Sequence, residues 1–191
     1  EAHPISPLNA RYPSVGEART PLRIGYLLWE VVESDVLFPL LAGVLQRHAY
    51  SPSPPEVRVY SLTRRPPPST LLFRGSTVKF VSFSGTNGSA AAEVIRKDKT
   101  DVLFDLTTYG DLTGAHILQH LPAPIQIGFL GYPGPKLAPF LNGSLWDRWT
   151  LPPDLVTREA WGRERIVYTP YASMPASHAQ LYGGENGVLG E

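Results

Sequence analysis

Two glycines, a proline and a tyrosine follow an apolar segment in a pattern suited to ligand binding. Ile125 to Leu130 is a short apolar run, typical of a buried parallel strand, and Gly131-Tyr-Pro-Gly134 follows it directly. The glycines can take positive φ and the proline fixes its own φ, so the chain presents bare backbone and one aromatic ring. Ligands of open α/β sheets bind at this end of the strands. An ordinary loop after a strand is the alternative interpretation.

Polar residues also follow two other predicted strands. Glu30 to Asp35 comes after the first strand, and the fourth is followed by Asp105, Thr107, Thr108 and Tyr109. Because the carboxyl ends of parallel strands meet at one edge, we expect these segments to share a rim with residues 131–136 and to form a cleft. Glu30, Asp35 and Asp105 are candidate bases. Strand ends are polar in many proteins, so an unspecialised edge remains the alternative.

The residues that would hold a metal or a nucleotide phosphate are missing from the sequence. His116 and His120 lie four residues apart on a predicted helix, but no glutamate lies between them and no third ligand is nearby. We therefore expect them to face solvent without a metal. There is no Gly-x-Gly-x-x-Gly after the first strand, no Gly-Lys-Ser/Thr and no Gly-x-Ser-x-Gly. The sequence predicts no cofactor.

Composition narrows the class of protein further. The 191 residues are 42% hydrophobic and contain no cysteine, which excludes disulfides, thiolate zinc sites and cysteine nucleophiles. Lys plus Arg and Asp plus Glu number 17 each, which gives no electrostatic case for nucleic acid or an anionic membrane as partner. No signal peptide and no membrane-spanning run is visible. These absences predict the cytoplasm or the nucleus.

Strands and helices alternate along the chain. Strands are predicted at 22–28, 57–62, 78–83, 101–106 and 125–130, and helices at 36–48, 90–97 and 113–121, with Ser89 capping the second helix. This order is typical of an α/β fold, a single Rossmann-like doubly wound sheet of five mostly parallel strands with the first one central. We expect a tail or linker at 1–20, the Rossmann-like lobe at 21–170 and a flexible or truncated segment at 171–191. Asn87-Gly-Ser and Asn142-Gly-Ser are interpreted as turns.

Two segments resemble the catalytic region of the protein O-GlcNAc transferases, including their SPINDLY-like relatives. Ala92 to Thr107 is similar to the family's Ile-Arg-x-Asp-x-x-Asp-Ile-Leu-Val-Asp-Leu, and Pro122 to Gly134 to its Pro-Ala-Pro-Val-Gln...Leu-Gly-Tyr-Pro-Gly. The spacing between the two matches without a gap. Leu22 to Tyr26 also looks like the family's first strand, so the resemblance covers about residues 22–170.

The resemblance implies the first lobe of a two-lobed, B-type glycosyltransferase. Such an enzyme moves GlcNAc from UDP-GlcNAc to a Ser or Thr hydroxyl of a protein, without a bound metal. In that family the donor binds mainly to the second lobe, and helical TPR repeats present the protein. The implied partner is a protein or peptide acceptor, and a UDP-sugar donor only if a second lobe exists. SPINDLY-like relatives transfer fucose, which leaves the donor open.

The sequence departs from the family at several polar positions. The loop after the first strand normally carries Asp-Phe-x-x-His, and here Glu30 replaces the Asp and Ser34 the His, a proposed active-site residue. Serine cannot replace imidazole as a base near neutral pH, so no catalytic residue is assigned. After Gly134, Pro135-Lys136-Leu137 replaces the family's Thr-Thr-Gly. The remaining candidates for the cleft are Glu30, Ser34, Thr107, Tyr109, Gly131, Tyr132, Pro133 and Gly134.

Two functions follow from these observations. The first is a glycosyltransferase lobe, either a fragment or a degenerate member, which we expect not to transfer sugar when isolated. The alternative is a non-catalytic module derived from that lobe, which binds a protein or peptide. The longer reading frame discriminates between them, because a second lobe that binds UDP favours the enzyme.

Overall fold

A single parallel sheet forms the centre of the protein. The computed structural model describes residues 21–30, 37–65, 78–108, 113–162 and 164–173. Within these ranges seven strands are present: β1 Arg23–Leu28, β2 Glu56–Ser61, β3 Val78–Ser82, β4 Val102–Asp105, β5 Ile125–Gly128, β6 Gly143–Trp146 and β7 Ile166–Tyr168. Their order is β3-β2-β1-β4-β5-β6-β7, and every neighbouring pair is parallel. All seven carboxyl ends therefore lie at one edge, which we call the carboxyl edge.

The expected position of β1 is confirmed, whereas the expected number of strands is wrong. β1 lies inside the sheet, with β2 and β4 on its two sides. Two strands after residue 140 were missed, and both add to the β5 side of the sheet. β6 begins with Gly143 and Ser144, which have low strand propensity, and β7 has only three residues. Pairing with the preformed sheet, rather than local propensity, keeps these two segments extended.

Helices cover both faces of the sheet, which confirms the doubly wound arrangement. The helices are α1 Leu37–Ala49, α2 Gly88–Lys97, α3 Ala115–Leu118 and α4 Arg158–Trp161, with a 3-10 turn at Pro153–Leu155. Leu41 and Leu45 of α1 pack in one core with Val57 and Val59. Ala91 and Ile95 of α2 pack in a second core, which also contains Ile117 and Leu118 of α3. No helix among the described residues is long and apolar enough to cross a bilayer.

Two local predictions about helix ends are corrected. The cap of α2 is Asn87, whose Oδ1 accepts a hydrogen bond from the Ala90 amide at 2.8 Å. Ser89 lies inside the helix and donates its hydroxyl to the same oxygen at 3.0 Å. The third helix was predicted over 113–121 and is shorter, because Leu121 has a positive φ of 50° that no α-helix accommodates.

Ion pairs connect the strands at the opposite, amino edge of the sheet. Arg23 and Glu56 open β1 and β2, and their side chains approach to 3.3 Å. Arg58 lies 3.6 Å from Glu56 and 3.1 Å from Asp98, the residue that follows α2. The hydroxyl of Tyr60 donates to Asp98 at 2.9 Å. This edge is held by partly exposed charges that pair with one another.

Candidate functional site

A cavity of about 300 Å³ opens at the carboxyl edge, between the start of α1, the exit of β5 and strand β6. Its walls are largely apolar. The lining residues are Leu37, Leu40, Gly128, Phe129, Leu130, Gly131, Tyr132, Pro133, Gly134, Lys136, Ser144, Leu145, Trp146, Thr150 and Ser173. A volume of this size, with apolar walls and a few polar groups, is typical of small-ligand sites. The segment Gly131–Gly134 thus lies where the sequence analysis expects ligand contacts.

The shape of this loop follows from its close approach to β4. The Phe129 amide donates to the Asp105 carbonyl at 2.9 Å. Gly131 then has a φ of +61°, and a Cβ added there would lie 2.3 Å from the Leu106 carbonyl oxygen. Glycine is therefore the residue that this position accepts. The Tyr132 ring folds back over Gly134, where an added Cβ would lie 2.9 Å from Cε1 of the ring.

A buried ion pair joins the far end of the loop to β4. The Lys136 ammonium lies 2.7 Å from Asp105 Oδ2, and the two side chains are 9% and 5% exposed. It also donates to the carbonyl oxygens of Asp105 and Thr107, at 3.3 and 2.9 Å. Three acceptors match the three N–H donors of an ammonium.

The other carboxylate oxygen of Asp105 is engaged by Thr107. Oδ1 accepts from the Thr107 amide at 3.0 Å and from its hydroxyl at 2.6 Å, and that hydroxyl accepts from the Gly114 amide at 2.8 Å. Thr107 is 1% exposed. Both oxygens of Asp105 are thus engaged in holding the rim, which is a structural task and not that of the free base considered from the sequence.

A second buried carboxylate, Asp147, bonds Thr150 and Ser173, which also line the cavity. Asp147 directly follows β6 and is 2% exposed. Its Oδ2 accepts from the hydroxyl and amide of Ser173 at 2.6 and 2.8 Å and from the Thr150 hydroxyl at 2.8 Å. Its Oδ1 accepts from the amides of Trp149 and Thr150 at 2.9 and 2.8 Å. Hydrogen bonds from Ser173, and then from Thr150, hold the pKa of Asp147 well below its ordinary value.

The remaining predicted site residues are not all brought together. Glu30 follows β1, and its carboxylate lies 3.4 Å from the guanidinium of Arg65, which follows β2. It is not among the described residues that line the cavity. Ser34, Asp35 and Tyr109 lie outside the described residues.

The two histidines of the α3 region are solvent-exposed, as expected. His116 and His120 both lie on the surface, and the His116 ring nitrogen Nδ1 is 3.0 Å from the Thr113 carbonyl oxygen. Among the described residues no group of three metal-ligating side chains is found. The prediction that these histidines bind no metal stays a prediction.

Comparison with known proteins identifies the family. The sequence model of glycosyl transferase family 41 matches residues 15–184. The chain belongs to this family. It is 24% identical over 170 residues to the probable UDP-N-acetylglucosamine–peptide N-acetylglucosaminyltransferase SPINDLY of Arabidopsis thaliana, covering 87% of the chain and 18% of that protein. The rice protein of the same name is 28% identical over 157 residues, covering 80% of the chain and 16% of the rice protein.

A solved structure of an O-GlcNAc transferase has the same fold. A mutant of the Thermobaculum terrenum enzyme superposes with a TM-score of 0.71 at 23% identity, covering 86% of this chain and 30% of that one. The chain therefore spans less than a fifth of the curated relatives and under a third of the solved one. In this family 41 lobe, residues 130–134, Leu-Gly-Tyr-Pro-Gly, form the loop that lines the cavity.

Sequence reasoning missed three residues that shape the site of this family 41 lobe. Lys136 was predicted to end the rim segment 131–136 and was noted as a departure from the family, but it was given no role, and Asp147 and Ser173 were not considered. A lysine two residues after the Gly131–Gly134 turn, beside a strand that ends in Asp105, was the available signal for the ion pair. Asp147 follows the apolar pair Leu145-Trp146, but β6 itself was missed, so its carboxyl end was missed with it.

Proposed function

We propose that this chain acts as the first lobe of a protein glycosyltransferase, with the cavity at the carboxyl edge forming one side of the cleft. The reaction proposed for the complete enzyme is transfer of GlcNAc from UDP-GlcNAc to a Ser or Thr hydroxyl. One observation carries the proposal: the family 41 match spans residues 15–184, and the glycine loop lines the cavity at the carboxyl edge. The relatives named above support the same reaction class.

Most of the described residues that line the cavity are uncharged, so they determine its shape more than its charge. Tyr132 and Lys136 are the titratable groups among the described lining residues, and the Lys136 ammonium already donates to Asp105 and Thr107. Transfer from a nucleotide sugar needs a group that stabilises the charge on the departing diphosphate. A second lobe would supply that group and exclude water from the cleft. We therefore expect the lobe to orient the acceptor and the sugar, and to be inactive alone.

A non-catalytic module is the second candidate function. The observation that favours it is Ser34, which stands where the family has histidine. A lobe whose described cavity lining is apolar and includes no histidine can still hold a peptide, because burial of an apolar side chain needs no proton transfer. The partner in this case is a peptide that is bound and released unmodified.

A transfer assay separates the two candidates. The complete reading frame that encodes this chain, and the chain by itself, are each incubated with radiolabelled UDP-GlcNAc and a Ser/Thr acceptor peptide. We expect incorporation with the complete protein, and none with the chain. Tyr132→Ala should abolish incorporation, whereas Tyr50→Ala, a change at an exposed tyrosine after α1, should not. A complete protein that binds the peptide but incorporates neither GlcNAc nor fucose from its activated donor would support the module.

A further inference from the structure

The loop that lines the cavity begins and ends on the same short stretch of β4 and its exit. At its start, the Phe129 amide bonds the Asp105 carbonyl and Gly131 packs on the Leu106 carbonyl. At its end, Lys136 bonds Asp105 and Thr107. The intervening residues span a short distance between two fixed points. The position of the Tyr132 ring at the cavity therefore depends on both attachments.

The first attachment is made by backbone and the second by a side chain. A carbonyl contact with Gly131 is available to any chain that has glycine there. The second depends on the ammonium of Lys136, because the Asp105 oxygen that faces it would otherwise be a buried, uncompensated charge.

We propose that Lys136 is a positioning residue of the cavity, whose ammonium fixes the Gly131–Gly134 loop on Asp105 and Thr107 and so sets the place of the Tyr132 ring. It acts through the loop and through Asp105. The inference rests on the proposed function only in treating the cavity as a ligand site. The position of the loop is measured in the unliganded chain, so failure of this inference and failure of the proposed function are distinguishable.

The absence of cysteine from the sequence allows a chemical test of the ammonium. Lys136→Cys is alkylated in urea with 2-bromoethylamine, which restores an ammonium on a side chain of lysine length, or with bromoethane, which adds a neutral group. Each product is refolded and followed by amide hydrogen exchange. Lys79→Cys, a variant at an exposed lysine on β3, receives the same two treatments as the matched control.

We expect the neutral product to exchange the Tyr132 amide, which donates to the Leu130 carbonyl, about tenfold faster or more, because the loop has lost its attachment at Lys136. The aminoethyl product should restore the protection, and the β1 and β2 amides should be unchanged in both. Equal exchange rates in the two products, or fast exchange throughout the sheet in both, would overturn the proposal. If Lys136 contributed only to general stability, the faster amide exchange would not be confined to the loop.

A second variant covers the case in which the neutral product does not refold. The double variant Lys136→Met with Asp105→Asn removes both charges and leaves no buried charge unpaired. We expect it to fold and to show the same faster exchange at Tyr132, since a thioether donates no hydrogen bond to the Thr107 carbonyl. Wild-type protection of the loop in this variant would overturn the proposal.

Discussion

Two buried carboxylates bond residues that line the cavity, and they are stabilised in different ways. Asp105 ends β4 and faces the ammonium of Lys136 at 2.7 Å. Asp147 follows β6 and accepts its hydrogen bonds from neutral groups of Trp149, Thr150 and Ser173. Asp105 therefore depends on an opposite charge in addition to the amide and hydroxyl of Thr107, whereas Asp147 is held by neutral donors alone. Loss of a single partner should be severe at Asp105 and mild at Asp147.

The largest effect is expected from removal of the charge that faces Asp105. Lys136→Met leaves that carboxylate buried without its cation, so the free energy of unfolding should fall by about 3–5 kcal/mol. Urea denaturation of wild type and variant measures the change. Adding Asp105→Asn should recover part of the loss, because the uncompensated charge is then gone. A loss below about 1 kcal/mol in the single variant would show that solvent or another group compensates Asp105.

A smaller effect is expected when Asp147 loses one neutral donor. Ser173→Ala removes the hydroxyl at 2.6 Å but keeps the Ser173 amide and both Thr150 donors. We expect the Tm to fall by about 3–6 °C, well short of the effect of Lys136→Met. Thermal unfolding followed by circular dichroism gives both values. A fall in Tm for Ser173→Ala that equals or exceeds the fall for Lys136→Met would show that the two carboxylates do not differ in this way.

The smallest effect is expected in the dependence of stability on acid pH, and it arises from Asp147. The pKa of Asp147 in the folded chain lies below its ordinary value of 3.8, so the unfolded chain takes up the proton first as pH falls. The stability that this carboxylate contributes is complete above pH 3.8 and is lost progressively at lower pH. Asp147→Asn lacks this contribution. Urea denaturation measures the difference in the free energy of unfolding between wild type and Asp147→Asn. This difference should be constant between pH 7 and 5 and should narrow below pH 3.8. A difference that widens in acid would contradict the assignment.

The five strands predicted from the sequence correspond to β1–β5 of the seven-stranded sheet. Each has an apolar or alternating pattern of its own, so the central place of β1 and the shared carboxyl edge could be predicted. β6 and β7 were missed because a Gly-Ser start and a three-residue strand carry little pattern of their own. The residues of the glycine loop were found, since glycine and proline mark a backbone constraint. Lys136 and Asp147 were not assigned a role, because nothing local shows that a charged residue will be buried beside a distant partner.

The polar groups at the carboxyl edge also show why residue type alone does not predict a chemical role. Asp105 was a candidate base because it lies at the end of a predicted strand. Its position was predicted correctly, but its chemistry depends on Lys136, which lies 31 residues away in sequence. Burial converts such a group from a free carboxylate into an anchor for the backbone around it.

The central claim is that the carboxyl edge, and not the amino edge, is the ligand face of this lobe. The most direct test is a titration of the ¹⁵N-labelled chain with a Ser/Thr acceptor peptide, followed by NMR. We predict that the perturbed amides are those of Gly131, Tyr132, Gly134 and Trp146, and that Tyr132→Ala weakens the response while Tyr171→Ala, at another exposed tyrosine, does not. Perturbations confined to the amino edge around Arg23, or a response insensitive to Tyr132→Ala, would contradict the account.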